Sequence, residues 1–230
     1  MKLLTELPVI TIDGPSGSGK GTISLLVANK LGWHYLDSGA LYRVLAYYAQ
    51  QSEQQSTEQQ LVVLAHNLPV EFRQLQPDQP AEIYLAGDLV TNQVRTESNG
   101  FAASKIAVIP AVRTALLARQ RAFLQPPGLV ADGRDMGTVV FPQAVLKVFL
   151  QANVEERALR RYNQLKARGL DGNLQDLIGE IARRDEQDRN RAVAPTKPAP
   201  DAVIIDTTKL DINAVFNQVM ALVRECIGNC

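Results

Sequence analysis

Nine consecutive residues, Gly14-Pro15-Ser16-Gly17-Ser18-Gly19-Lys20-Gly21-Thr22, have the types and spacing to hold phosphate. Glycines let successive backbone N–H groups turn inward around oxyanions. A helix opening at this point adds the favourable end of its dipole. Lys20 supplies a point charge for the β- and γ-phosphates of a nucleoside triphosphate, and the match to GxxxxGK is complete. The next position, where Ser or Thr ordinarily meets Mg²⁺, is Gly21. The hydroxyl comes one place later, at Thr22, so metal ligation from this loop stays open.

A second cluster, Asp132-Gly133-Arg134-Asp135, ends an apolar run, Gly128–Asp132. An Asp at the carboxyl end of a strand beside a phosphate loop can hold Mg²⁺ through water. The competing reading of Asp132 is a turn or cap residue. Arg134 and Asp135 follow at once and point into the same crevice.

These residues need a scaffold, and the hydrophobic pattern supplies one. Val9–Asp13 reads as a buried strand that enters the glycine loop. Thr22–Leu31 has helical spacing and ends at Gly32. Asp37-Ser38-Gly39 opens a helix from Ala40 to about Gln50, and Leu61–Asn67 extends as helix. From Gln50 to Gln60 the composition turns to Gln, Ser and Glu, as in a linker or an exposed helix start. Val70–Gln74, Ala81–Leu85 and Leu89–Gln93 alternate apolar and polar residues, with a hairpin turn at Gly87-Asp88. Phe101–Leu124 is helical with an interruption at Pro110. Val145–Leu150 and Ala202–Asp206 read as further strands, Val154–Lys166, Leu174–Gln187 and Ile212–Cys226 as helices, and Ala194–Pro200 as irregular chain. Short apolar strands alternating with helices predict a parallel α/β sheet.

The 230 residues carry 24 Lys+Arg and 24 Asp+Glu, a net charge of zero. That excludes a polybasic protein that coats nucleic acid. The balance is uneven along the chain: residues 44–100 hold seven acids against two Arg, so this block reads as an acidic α+β insertion. Cys226 and Cys230 lie together at the C-terminal end and form no disulfide framework, which predicts free thiols in a reducing cytosol. His34 and His66 have no zinc spacing. No apolar run reaches the ~20 residues of a membrane span, and Met1–Pro8 lacks a signal-peptide core. The expected protein is cytoplasmic, with no membrane or nucleic-acid partner, and monomeric, since no long apolar stripe demands a partner.

GPSGSGKGT, Asp37-Ser38-Gly39-Ala40-Leu41-Tyr42-Arg43, Ala131-Asp132-Gly133-Arg134-Asp135-Met136-Gly137-Thr138 and Asp188-Arg189-Asn190-Arg191 together resemble the bacterial cytidylate kinases, in the P-loop nucleoside monophosphate kinase family. GKGT is the form of the loop those kinases use. The motifs spread over residues 9–206. The resemblance implies a P-loop NTPase-type parallel sheet flanked by helices, forming a single kinase domain over 1–230. Its core covers about 1–50 and 100–230. An inserted α+β monophosphate-binding subdomain takes about 51–99, and a short helical lid about 154–190. The implied reaction is ATP + CMP ⇌ ADP + CDP, with dCMP as a further acceptor and Mg²⁺ carried as Mg-ATP. Phosphoryl transfer needs positioning and cationic screening more than a side-chain nucleophile, which suits a chain whose two histidines lie outside the motifs.

By the same resemblance, Ser38, Arg43 and Arg134 hold the CMP phosphate. Arg191 reaches the phosphates near transfer, and Arg184 and Asp188 contact the ribose. Asp135 reads the cytosine N4 amine, with Ser104 and Arg113 on the other base atoms. A carboxylate accepts from that amine and repels the O4 of uracil. Lys20, Arg134, Arg184 and Arg191 form the catalytic set. Gly14 to Thr22 with Arg157 and Arg161 form the ATP site, and Asp132 through water, with Thr22, the metal site. Two questions stay open. Arg157 and Arg161 also fit ordinary ion pairs with Glu155 and Glu156, and the acceptor could be UMP, AMP or a non-nucleotide such as shikimate. A nucleotide-dependent switch is the alternative outside enzymes, but a switch needs no arginine cluster for an acceptor phosphate.

Overall fold

The structure is a computed structural model that describes residues 7–51, 56–76, 79–167, 169 and 171–228. Cys230, most of Met1–Pro8 and residues 52–55 of the Gln- and Ser-rich stretch lie outside the described residues. Strand β1 (Val9–Asp13) leads through the glycine loop into helix α1 (Lys20–Leu31), strand β2 (His34–Asp37) and helix α2 (Ser38–Gln50). Helix α3 (Glu58–His66) precedes three short strands, β3 (Val70–Arg73), β4 (Glu82–Leu85) and β5 (Asp88–Leu89), and the short helix α4 (Thr91–Val94). Helices α5 (Glu97–Ile106) and α6 (Pro110–Arg121) return the chain to strand β6 (Leu129–Gly133), a π-helical turn (Met136–Val140) and strand β7 (Leu146–Gln151). Helices α7 (Val154–Ala167) and α8 (Leu174–Asn190), strand β8 (Val203–Asp206) and helix α9 (Ile212–Ile227) complete it.

The main sheet is parallel, in the order β2-β6-β1-β7-β8. Helices cover both of its faces, which is why β1 and β6 are buried along their whole length rather than alternately. Alternate residues still serve opposite sides. Ile10, Ile12 and Val130 pack with α1 and α9, while Val9, Leu129 and Ala131 pack with Leu41 and the π-helical turn. β1 is the point from which the strand order runs outward both ways, so the crevice opens at its carboxyl end. The acidic block forms a separate antiparallel sheet, β3-β4-β5. Its Ile83 and Leu85 share one core with α2, α3, α5 and α6. Among the described residues, no single helix is long and apolar enough to cross a membrane.

Three elements differ from expectation. Residues 34–37 form an edge strand, β2, that the pattern hides: it is four residues long and only Leu36 is buried. Leu89–Gln93 is not a strand. Only Asp88 and Leu89 pair with β4, because Thr91 Oγ1 accepts the Ile83 N–H at 2.8 Å and the chain coils into α4, which buries Val94. The hairpin turn lies one residue early, at Ala86 and Gly87, both with positive φ (52° and 94°), the pairing a two-residue turn needs. The break at Pro110 is as expected: α5 and α6 meet at 105°, with the proline at a helix start where its missing N–H costs nothing. α2 starts at Ser38 because Asp37 caps it, Oδ1 accepting Ala40 N–H at 3.0 Å.

Candidate functional site

The glycine loop sits at the carboxyl end of β1. Gly14, Gly17 and Gly19 have φ of 152°, 76° and 90°. Gly14 has a second reason to be glycine: a Cβ there would stand 2.1 Å from the Leu150 carbonyl oxygen of β7. Gly14→Ala is therefore expected to destabilise the fold by about 3 kcal/mol or more, measured by urea unfolding. Lys20 begins α1, and its Nζ donates to the Pro15 carbonyl at 3.2 Å. Burial, then the charge of Arg134, push its pKa down to about 7.

Asp132, at the end of β6, lies beside Ile12 and Asp37 in the sheet register. Burial, then Asp37, push its carboxyl up to about 7. Tyr35 Oη donates to its Oδ1 at 3.3 Å. Gly21 lies against this carboxylate: a Cβ there would stand in ordinary contact, 3.4 Å from Asp132 Oδ2. Thr22 is exposed.

Four cations share the field around the loop. Burial, then Arg134, lower Arg184 to about 10. Burial also lowers Arg43 and Arg191. Arg184 Nε and Arg191 Nε are buried without a hydrogen-bond partner. Cations that depress one another and leave donors unpaired describe a site awaiting a polyanion. Asp188 of α8 organises part of it. Arg134 Nε donates to its Oδ2 at 3.1 Å, and Arg191 Nη1 lies 3.9 Å from its Oδ1. Burial alone would raise the Asp188 carboxyl, but Arg134, Arg191 and Arg184 outweigh it and hold it below the usual range.

Next to this cluster Arg113 and Asp135 form a buried ion pair. Arg113 Nη1 also donates to Ala107 O at 3.1 Å, and its guanidinium lies 5.7 Å from the Tyr42 ring. Ser104 Oγ donates to Gly100 O at 3.1 Å. Ser38 Oγ accepts from the buried Gln120 Nε2 at 2.8 Å. Arg43 Nη1 donates to the Val94 and Thr96 carbonyls at 3.2 and 2.8 Å, and Gly100 admits it: a Cβ there would be 2.7 Å from Arg43 Nη2.

Arg157 and Arg161 do not pair with Glu155 or Glu156. Arg157, 2% exposed, binds Asp185 at 3.0 and 2.5 Å and the carbonyls of Ser16 and Ala152 at 3.0 and 2.9 Å. It braces α7 against α8 and the loop. Arg161 pairs with Glu97. The pair with Glu156 belongs to Arg160, which also binds Thr207. A cleft of about 140 Å³ lies among Ser16, Gly17, Arg43, Arg160, Arg161 and Arg184.

Other site-lining residues escaped the sequence reading. Tyr42 has a buried hydroxyl without a partner, with burial first in raising it to about 12. Arg95 follows α4 with its Nε buried and unpartnered, and with Tyr35 and Asp37 it lines a cavity of about 270 Å³. Tyr42 could have been found, because it stands between Leu41 and Arg43 in a motif. Nothing in the pattern marks Arg95.

The sequence profile of one family, cytidylate kinase, matches residues 10–225. A cytidylate kinase of Azotobacter vinelandii is 58% identical over 214 residues, 93% of each chain. Those of Stutzerimonas stutzeri and Aeromonas hydrophila are 55% and 56% identical, over 97% and 96% of this chain and 98% and 96% of their own. A match across nearly all of both sequences, on a chain that sets a phosphate loop, an arginine cluster and a buried Arg113–Asp135 pair within one another's electrostatic reach, makes this protein a member of the cytidylate kinase family.

Proposed function

We propose that the chain transfers the γ-phosphoryl group of ATP to CMP, and to dCMP, giving ADP and CDP or dCDP. The observation that carries this reading is a continuous field of buried charge: Lys20 of the phosphate loop feels Arg134 and Arg184, and Arg191 feels both Arg134 and the buried Arg113–Asp135 pair suited to a base. An oxygen of the CMP phosphate forms the new bond to the γ-phosphorus while the bond to the β-bridging oxygen breaks, and ADP leaves with that electron pair. The attacking oxygen is already ionised, so no side chain need take a proton. Lys20 holds the β- and γ-phosphates. Arg134, Arg184 and Arg191 screen the charge between donor and acceptor and align them. Ser38 and Arg43 seat the CMP phosphate, with Asp188 and Arg184 on the ribose.

Asp135 accepts from the cytosine N4 amine, and Arg113 and Ser104 donate to the remaining base acceptors. The residues present fit a magnesium ion: burial first, and then neighbouring Asp37, disfavour the Asp132 anion, a cost a cation would relieve. Asp132 would hold it through water, with Thr22 a further candidate and phosphate oxygens completing the shell. When bound, the ion neutralises charge on the β- and γ-phosphates. Residues 51–99 act as the monophosphate-binding lobe and 154–190 as the lid that excludes water. In this lid Arg161, which lines the cleft beside Ser16 and Gly17, would exchange Glu97 for ATP, while Arg157 holds the lid to the loop. The chain acts in the cytoplasm as a monomer whose partners are nucleotides, and its zero net charge speaks against a polyanion such as nucleic acid as the partner.

A coupled assay over CMP, dCMP, UMP and AMP with Mg-ATP tests this. CMP and dCMP are turned over, and kcat/KM for UMP is lower by on the order of 10²-fold or more. Equal use of UMP refutes the role of Asp135, and nucleotide binding without CDP formation refutes the kinase reading.

A further inference from the structure

Asp13 is the last residue of β1, directly before the glycine loop, and has no part in the roles above. Its side chain crosses to a segment more than a hundred residues away. Oδ1 accepts the Met136 N–H at 2.9 Å and Oδ2 accepts the Gly137 N–H at 2.8 Å. These are the first two donors of the π-helical turn that follows Arg134 and Asp135. The residue preceding that turn, Asp135, makes no side-chain cap, because its carboxylate is engaged with Arg113. The donors at the start of the turn must be satisfied from elsewhere, and Asp13 does this from the neighbouring strand, where it lies in register with Gly133.

The arrangement is costly. Asp13 is 5% exposed, and burial pushes its carboxyl up to about 6 despite both backbone bonds and with only a minor contribution from Arg134. A side chain that merely filled this space would be apolar. The contact is also close on its other side: a Cβ on Gly137 would stand 2.9 Å from Thr11 Oγ1 and 3.2 Å from Lys147 Cδ. The turn is thus pinned to β1 at two points, one by hydrogen bonds and one by sterics.

We infer that Asp13 is a positioning residue that sets Arg134 and Asp135 in register with the phosphate loop, so that one side chain at the foot of the donor site orients the base-reading side of the acceptor site. The inference rests on the proposed role of Asp135. Asp13→Asn keeps the shape but turns an NH₂ toward one of the two backbone N–H groups. The expected result is a fall in kcat/KM for CMP by on the order of tenfold or more. The preference for CMP over UMP narrows, the ATP KM changes little, and hydrogen exchange at the Met136 and Gly137 amides speeds up. Gly137→Ala, which pushes the same turn off β1 without touching Asp13, gives the same signature and serves if Asp13→Asn does not fold.

Asp211→Ala, which removes the cap of α9, is the control. It lowers the melting temperature and leaves the CMP-to-UMP ratio unchanged. A purely structural Asp13 would behave like this control. Wild-type CMP KM and selectivity in Asp13→Asn and Gly137→Ala, alongside lost selectivity in Asp135→Ala, overturn the inference. Retained selectivity in Asp135→Ala instead overturns the role of Asp135. The CMP KM and amide exchange of Asp13→Asn then decide whether β1 positions the turn through Arg134.

Discussion

Lys20→Ala is expected to lower kcat for CMP phosphorylation by on the order of 10²–10³-fold while changing the CMP KM little. Lys20 opens α1 where three glycines aim the loop inward, and in the resting chain its Nζ has only the Pro15 carbonyl as a hydrogen-bond partner among the described residues. Burial and Arg134 already disfavour its charge. Such a cation has little to gain from the protein and much from a phosphate, and the gain is largest when charge spreads over the transferred group. Steady-state kinetics with varied ATP and varied CMP would separate the effects. Loss confined to kcat marks an interaction made in the transition state, whereas a rise in ATP KM alone marks uniform binding. Lys20→Arg should not rescue, because a planar fork cannot replace a compact ammonium in this loop. CMP turnover at the wild-type rate in Lys20→Ala would remove Lys20 from the mechanism.

The second large effect is expected at Asp135. Arg113 and Asp135 are both buried, at 9% and 4% exposure, so Asp135→Ala leaves a guanidinium with no counter-charge away from water. Breaking such a pair from one side costs about 3–5 kcal/mol, to be read as a lower urea midpoint with an unchanged m-value. Selectivity falls with it, because no acceptor remains for the cytosine amine. Asp135→Asn separates the two consequences. It retains an oxygen toward Arg113 and loses less stability, but presents an amide that can donate to uracil O4, so discrimination against UMP narrows. A double replacement, Asp135→Ala with Arg113→Met, should recover part of the stability, since removing both charges removes the uncompensated one. It should recover none of the selectivity. Full CMP preference in the double variant would exclude this pair as the base reader.

Legibility in the sequence followed how local each determinant is. The glycine loop, Lys20 and the strand before it could be read directly, because a loop that wraps phosphate needs glycine at fixed offsets and a strand buried on both faces is built mainly from apolar, β-branched residues. The break at Pro110 is local chemistry of the same kind. β2 was missed because an edge strand with one buried residue carries almost no periodic signal. The coiling of Thr91–Val94 was missed because it depends on Thr91 meeting Ile83 on a neighbouring strand.

The site divides along the same line. Residue types and spacing, with the family motifs, were enough to nominate Lys20, Asp132, Arg134 and Asp135, since each lies within or beside a motif. Partnership was not available to them. That Arg157 turns to Asp185 rather than to Glu155 or Glu156, that Arg134 rests on Asp188, and that Asp13 reaches the π-helical turn all depend on strands and helices distant in sequence being packed together. Burial then gives those contacts their weight. The same carboxylate or guanidinium that would titrate normally in water is forced, once desolvated, to find a partner or await a ligand, and only the folded chain determines which of the two it does.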